Sequence, residues 1–128
     1  MNSNFIIEHN KTIKDALILI NKNARGIVFI VNKKKLIGVI TDGDIRRFLM
    51  KGLKISSSVI QAMNSEFTYL NIKSPKEKIA KIFKEGSKNN KNKEHKNIKC
   101  IPLVNDNNEI VDLVFNGSAI EIIAYTSS

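Results

Sequence analysis

Three features of the chain point to a mixed α/β (α+β) fold made of two β-α-β-β-α repeats packed about a pseudo-twofold axis. Apolar runs of strand length, at 27–31, 36–40, 100–104 and 110–115, alternate with stretches whose apolar residues fall at i, i+3 and i+4. The order lead-in, helix, strand, strand, helix occurs twice, with Thr12 and Ser74 62 residues apart, Val31 and Val104 73, and Ile37 and Val111 74. With 128 residues, 42% of them apolar, the chain makes one domain or two halves sharing a core. Either repeat alone is too small to bury its sheet comfortably, and two packed face to face would do so. The division predicted is 1–63, the first repeat with its linker, and 64–128, the second.

In the first repeat, 4–7 is an extended lead-in. Thr12-Ile13-Lys14-Asp15 has the spacing of a capping box, and Ile13, Ala16, Leu17 and Ile20 then follow a helical stripe. Residues 21–26 end that helix. The β-branched and aromatic run Ile27–Val31 reads as a strand buried on both faces. Asn32-Lys33-Lys34-Lys35 makes a hairpin turn into the strand Leu36–Ile40, broken only by Gly38. Ile45, Phe48 and Leu49 set a helix over Asp44–Met50 that stops near Gly52. A polar joint, Ser56-Ser57-Ser58, and a short apolar stretch, Val59–Met63, lead to the second repeat.

There, Tyr69–Ile72 is the lead-in and Ser74-Pro75-Lys76-Glu77 reads as a capping box with Pro at the first helical position. Ile79, Ile82 and Phe83 repeat the helical stripe. Cys100–Val104, the turn Asn105–Asn108 and Ile110–Phe115 form the second hairpin, and Ile120, Ile123 and Ala124 mark a closing helix. The drift in separation comes from an extra polar loop at Gly86–Asn97.

Composition removes several function classes. No apolar run reaches membrane-spanning length, and the N-terminus lacks the charged and apolar segments of a signal peptide. The single cysteine, Cys100, has no internal disulfide partner and fits a reducing compartment, the cytoplasm; beside Ile101 it reads as a buried thiol. His9 and His95 are far apart, and the Asp42-x-Asp44 pair has neither a third ligand nor a nucleophile–base pair nearby, so no metal and no catalysis are expected. The net charge of +9 raises nucleic-acid binding as a reading. Between Lys84 and Lys99, however, six Lys stand against two Glu with only His95 to stack, whereas single-strand-binding patches interleave aromatics.

The chain is organised around Leu36–Arg47, where a strand feeds a helix through Thr41-Asp42-Gly43. The free N–H groups and dipole of a helix N-terminus favour an anion, and Gly43 admits a ligand close to the backbone. Asp44 can accept the hydroxyls of a ribose diol, Thr41 adds a hydroxyl, and Arg46 and Arg47 suit phosphate. Thr41-x-x-Asp44 equally fits a capping box that does nothing but close the helix. Spacing alone leaves both readings open.

The tandem repeat, with Gly38-Val39-Ile40-Thr41-Asp42-Gly43-Asp44-Ile45-Arg46-Arg47 at its centre, resembles a pair of cystathionine-β-synthase (CBS) domains from about Ile6 to Tyr125. Thr-Asp-Gly-Asp followed by a hydrophobic residue and two Arg is similar to the variant in CBS pairs joined to sugar-phosphate enzymes. A start at Met1, and the run Cys100–Val104 followed by Glu109-Ile110-Val111-Asp112, favour the N-terminal pair of sugar-phosphate nucleotidyltransferases, the catalytic domain then lying past Ser128. The resemblance implies a non-catalytic regulatory module binding an adenine nucleotide (AMP, ADP or ATP). Thr41 and Asp44 would hold the ribose, Ile40 would line the base pocket, the segment Ala24, Gly26 and Ile27 would offer backbone groups to the base, and Arg46 or Arg47 would reach phosphate. In the second repeat Phe115 takes the Thr position, Ser118 the Asp position, and Asp112 the place of Gly38. At most one competent site per chain is expected.

The resemblance also implies a homodimer through the helices Asp44–Met50 and Ser118–Tyr125, since Ile120, Ile122 and Ile123 cannot all face one core, and an attached or partner catalytic domain. The alternative is a structural, dimerising module without a ligand, motivated by the degraded second motif.

Overall fold

The computed structural model describes residues 3–88 and 98–117, and the chain divides into two compact units, Met1–Phe67 and Thr68–Ser128. In the first unit a 3-10 turn over Ser3–Phe5 leads into β1 (Ile6–Glu8), followed by α1 (Ile13–Asn23), β2 (Ile27–Asn32), β3 (Lys35–Thr41) and α2 (Asp42–Met50). The second runs β4 (Leu70–Asn71), α3 (Lys76–Lys88), β5 (Cys100–Val104) and β6 (Ile110–Phe115). The closing helix read at Ser118–Tyr125, with Ile120, Ile122 and Ile123, lies outside the described residues, as do Ser118 and most of the polar loop. α3 carries the chain through Gly86 to Lys88, the first residues of the predicted loop.

Both units build the same three-stranded sheet. β2 lies centrally, parallel to β1 and antiparallel to β3, and β5 sits between β4 and β6 in the same senses. The hairpins share an irregularity. Ile30 faces Gly38 and Val31 faces Leu36, which leaves Ile37 as an extra residue; Leu103 faces Asp112 and Val104 faces Ile110, which leaves Val111 extra. Ile37 and Val111 are the residues 74 apart on which the repeat was read, so the duplication extends to a β-bulge at the same position.

Each unit has an apolar core in which helix faces pack on its sheet. In the first, Ile13, Ala16 and Ile20 of α1 and Ile45 and Phe48 of α2 pack with Ile7, Val28, Ile30, Ile40 and Val59. Ile27, Phe29 and Val31, on the other face of β2, are buried too, so the strand is covered on both faces as its composition predicts. In the second unit Ile79 and Phe83 of α3 pack on Leu70, Ile101, Leu103 and Val114. Cys100 is buried and has no disulfide partner.

The linker 55–64 is tied to the first unit. Ser57 and Ile55 carbonyls accept the N–H groups of Ile13 and Lys14, closing the N-terminus of α1, and Val39 and Asn64 exchange hydrogen bonds of 3.0 and 2.7 Å. Gly38 makes that second contact possible: a Cβ there would stand 2.5 Å from Met63 Sδ and 3.3 Å from the Asn64 carbonyl.

One cap differs from the sequence reading. Ser74 and Glu77 form no capping box, and α3 begins at Lys76. The Ser74 N–H, which Glu77 would have to accept, instead closes a turn on the Asn71 carbonyl at 2.9 Å, and Lys78 N–H reaches back only three residues to Pro75.

Candidate functional site

The strand-to-helix corner at 41–44 forms as a complete capping box. Thr41 is extended (φ −116°, ψ 167°) and caps α2. Its N–H and its hydroxyl both donate to Asp44 Oδ2, at 3.0 and 2.9 Å, and the hydroxyl accepts the Asp44 N–H at 3.2 Å. The capping reading of this spacing is therefore correct. It leaves Asp44 Oδ1 outside the cap, and that oxygen accepts from Arg47 Nη2 at 2.6 Å. One turn of helix brings the two together, an i, i+3 spacing visible in the sequence whose consequence sequence reasoning missed.

An internal comparison shows what is particular to this corner. Thr12 and Asp15 make the same box at the start of α1, with matching bonds of 3.0, 3.0 and 3.2 Å. The flanking N–H groups differ. At α1, the Ile13 and Lys14 N–H groups go to Ser57 and Ile55. At α2, Asp42 N–H goes to the Gly26 carbonyl at 3.0 Å, while among the described residues Gly43 N–H, the counterpart of Lys14 N–H, has no partner. A helix N-terminus with one donor left open and no Cβ beside it is suited to a ligand acceptor.

The other predicted site residues gather around the same corner. Ile27 pairs directly with Thr41 across the β2–β3 ladder, and the Gly26–Asp42 bond continues that pairing, so the segment 24–27 lies against 41–42. Ala24 and Gly26 hold left-handed backbone, φ 57° and 73°. Ala24 ends α1 with its N–H on the Ile20 carbonyl, a place usually taken by glycine. Asn23 braces the segment by donating to the Asn4 and Ile27 carbonyls. Ile40, by contrast, is 0% exposed within the apolar core of the first unit, so its side chain serves packing. Arg46 is exposed, and its side chain shows no hydrogen bond among the described residues.

The corresponding corner of the second unit has lost this chemistry. Phe115 pairs with Cys100 as Thr41 does with Ile27, but it is buried and has no hydroxyl. Asp112, in the place of Gly38, accepts the N–H of its own neighbour Leu113 at 2.8 Å, and desolvation raises its pKa above the usual 3.8. Among the described residues no group of three or more His, Cys, Asp or Glu could hold a metal ion, and no helix is long and apolar enough to cross a membrane.

Residues 1–51 match the family model described as the CBS domain. An uncharacterized protein of Helicobacter pylori (strain J99) is 42% identical over 55 residues, which is 42% of this chain and only 17% of that protein's length. The fold extends further than the sequence match. A CBS domain protein of Pyrobaculum aerophilum (PAE2072), complexed with AMP, superimposes with a TM-score of 0.64 at 19% identity, covering 96% of this chain and 91% of that one. The CBS domain pair of protein MJ0100, in complex with 5-methylthioadenosine and S-adenosyl-L-methionine, does so with a TM-score of 0.66 at 24% identity, covering 94% and 88%. Residues 1–51 thus resemble a CBS domain in sequence, and the chain as a whole has the fold seen in CBS-domain proteins.

Proposed function

We propose that the chain is a CBS pair that senses an adenine nucleotide at the Thr41–Asp44 corner and regulates an attached or partner enzyme. The observation that carries this reading is the contrast between two identical capping boxes. The α1 box is closed by the linker, whereas the α2 box keeps the Gly43 N–H open beside a carboxylate oxygen outside the cap. The complexes of the structural relatives with AMP and with S-adenosyl-L-methionine support an adenosine-containing ligand. In this reading Asp44 Oδ1 accepts from the ribose hydroxyls, Gly43 N–H donates to the ligand, segment 24–27 meets the base, and Arg46 or Arg47 meets phosphate. The Thr-Asp-Gly-Asp corner and the resemblance stated above favour a sugar-phosphate nucleotidyltransferase as the regulated enzyme, acting in the cytoplasm.

Isothermal titration with AMP, ADP, ATP, GTP and CTP in turn tests the reading. One site per chain for an adenine nucleotide, lost in Asp44→Ala, is the expected result; no saturable binding of any of the five overturns it. The second reading, a dimerising module without ligand, is favoured by apolar residues exposed at the end of α2, Leu49 and above all Met50 at 81%. It predicts a dimer whose mass falls to that of a monomer on Met50→Glu.

A further inference from the structure

We infer that Arg47 is a built-in competitor for the nucleotide site, holding it against nucleosides and yielding it to nucleotides. The inference rests on the adenosine-binding reading of the 41–44 corner. Two features of that corner suit a ligand, and one side chain occupies both. Asp44 Oδ2 is committed to the Thr41 N–H and hydroxyl, so Oδ1 is the oxygen left for a ribose, and Arg47 Nη2 sits on it at 2.6 Å. The bare backbone at Gly43 is covered as well: the position a Cβ would take there lies 3.2 Å from Arg47 Nη1 and 3.6 Å from Nη2.

A ribose diol and a guanidinium both approach a carboxylate as donors, and a guanidinium cannot accept a hydrogen bond in return. The two are therefore rivals for Oδ1, not partners around it. A nucleoside that takes the carboxylate leaves Arg47 without a counter-ion. A nucleotide brings its own, because phosphate presents acceptors that match the guanidinium fork. With its side chain 51% exposed, Arg47 is free to swing outward, and its guanidinium reaches back over Gly43 toward the helix N-terminus, where a phosphate would be favoured. Discrimination then arises from a repulsive element, the ion pair that a nucleoside must break for nothing, as well as from the attractive contact.

The magnitudes are unequal, which makes the test selective. An ion pair this exposed is worth up to about fivefold in an equilibrium constant. A charge-assisted bond to phosphate is worth about tenfold or more. Titrations of adenosine and AMP into the wild-type chain and Arg47→Ala, with Lys54→Ala as a control for lost positive charge, read both. In Arg47→Ala adenosine is expected to bind about two- to fivefold more tightly and AMP about two- to fivefold more weakly, the lost phosphate contact being partly offset by the freed Oδ1, so that their affinity ratio shifts about tenfold, while Lys54→Ala leaves that ratio unchanged. Adenosine affinity unchanged or weakened in Arg47→Ala overturns the competition, even where AMP affinity falls. A wild type that binds neither compound overturns this inference, and the nucleotide reading with it if ADP, ATP, GTP and CTP also fail to bind.

Discussion

Asp15 provides the control that separates a structural carboxylate from a ligand-binding one. Replacing either Asp15 or Asp44 with Ala removes the carboxylate half of a capping box of the same geometry, two bonds of 2.9–3.0 Å in each case, and leaves the backbone N–H on the Thr hydroxyl. Loss of such a cap costs about 1 kcal/mol. Asp44→Ala also loses the Arg47 pair, worth up to about 1 kcal/mol at this exposure. Both variants should therefore be destabilised by a few degrees in Tm, Asp44→Ala somewhat the more. Their response to nucleotide should not be equal. Wild type and Asp15→Ala should each gain about 2.7 kcal/mol at a nucleotide concentration 100 times Kd, and Asp44→Ala should gain almost nothing. Thermal unfolding of the three proteins with and without AMP or ATP measures all of these quantities. If Asp44→Ala keeps the nucleotide-induced shift, Asp44 is a cap and no more. If Asp15→Ala loses it as well, the effect is a general consequence of weakened helices and the corner has not been located.

Two further predictions concern the frame that carries the corner. The β2–β3 turn places Lys33 and Lys34 at φ 52° and 71°, the positive values of a two-residue hairpin turn that ordinarily selects Asn-Gly; Lys33→Asn combined with Lys34→Gly should stabilise the chain by about 1 kcal/mol in urea unfolding, and an unchanged midpoint would show that the turn is not strained. The pH dependence should carry two opposed carboxylate contributions. The Asp15 pKa is held below 3.8 chiefly by the Thr12 N–H and then its hydroxyl, so its stabilisation is present above 3.8 and is lost as pH falls through the lower folded value. Asp112 is raised by desolvation, so its charging penalises the fold as pH rises from 3.8 through the folded value. Asp112→Asn should accordingly raise the urea midpoint at pH 7 and leave it unchanged below pH 3, while Asp15→Asn should lower it at pH 7 and flatten the acid limb.

Sequence periodicity made most of this architecture legible because the determinants are local. The 3.6- and 2-residue periods place α1, β2, β3 and α2, and the two Thr-x-x-Asp boxes cap their helices as spacing predicts. The Ser74 box failed for a reason outside its own four residues: Asn71 had already taken the required N–H. The role of Gly38 was similarly hidden, since what excludes a Cβ is Met63 and Asn64, some 25 residues further along the chain. Ile40 shows the same limit from the other side. Its position beside Thr41 suggested a ligand wall, but strand alternation turns it into the core with Val28 and Ile30.

The repeated bulge explains why one corner can lose its chemistry while the frame stays intact. Ile37 and Val111 each add one residue to an edge strand at the same register, and the strands beyond them end in equivalent pairs, Ile27 with Thr41 and Cys100 with Phe115. That register is set by backbone pairing and by buried residues such as Ile30 and Leu103, none of which belongs to a ligand. The Thr41 cap is worth about 1 kcal/mol, whereas burial of the Phe115 ring at the second corner is worth about 2 kcal/mol. Selection for stability alone would thus favour apolar residues at both corners. The first corner keeps Thr41, a carboxylate oxygen outside the cap and an open N–H, an arrangement that stability does not require and a ligand would use.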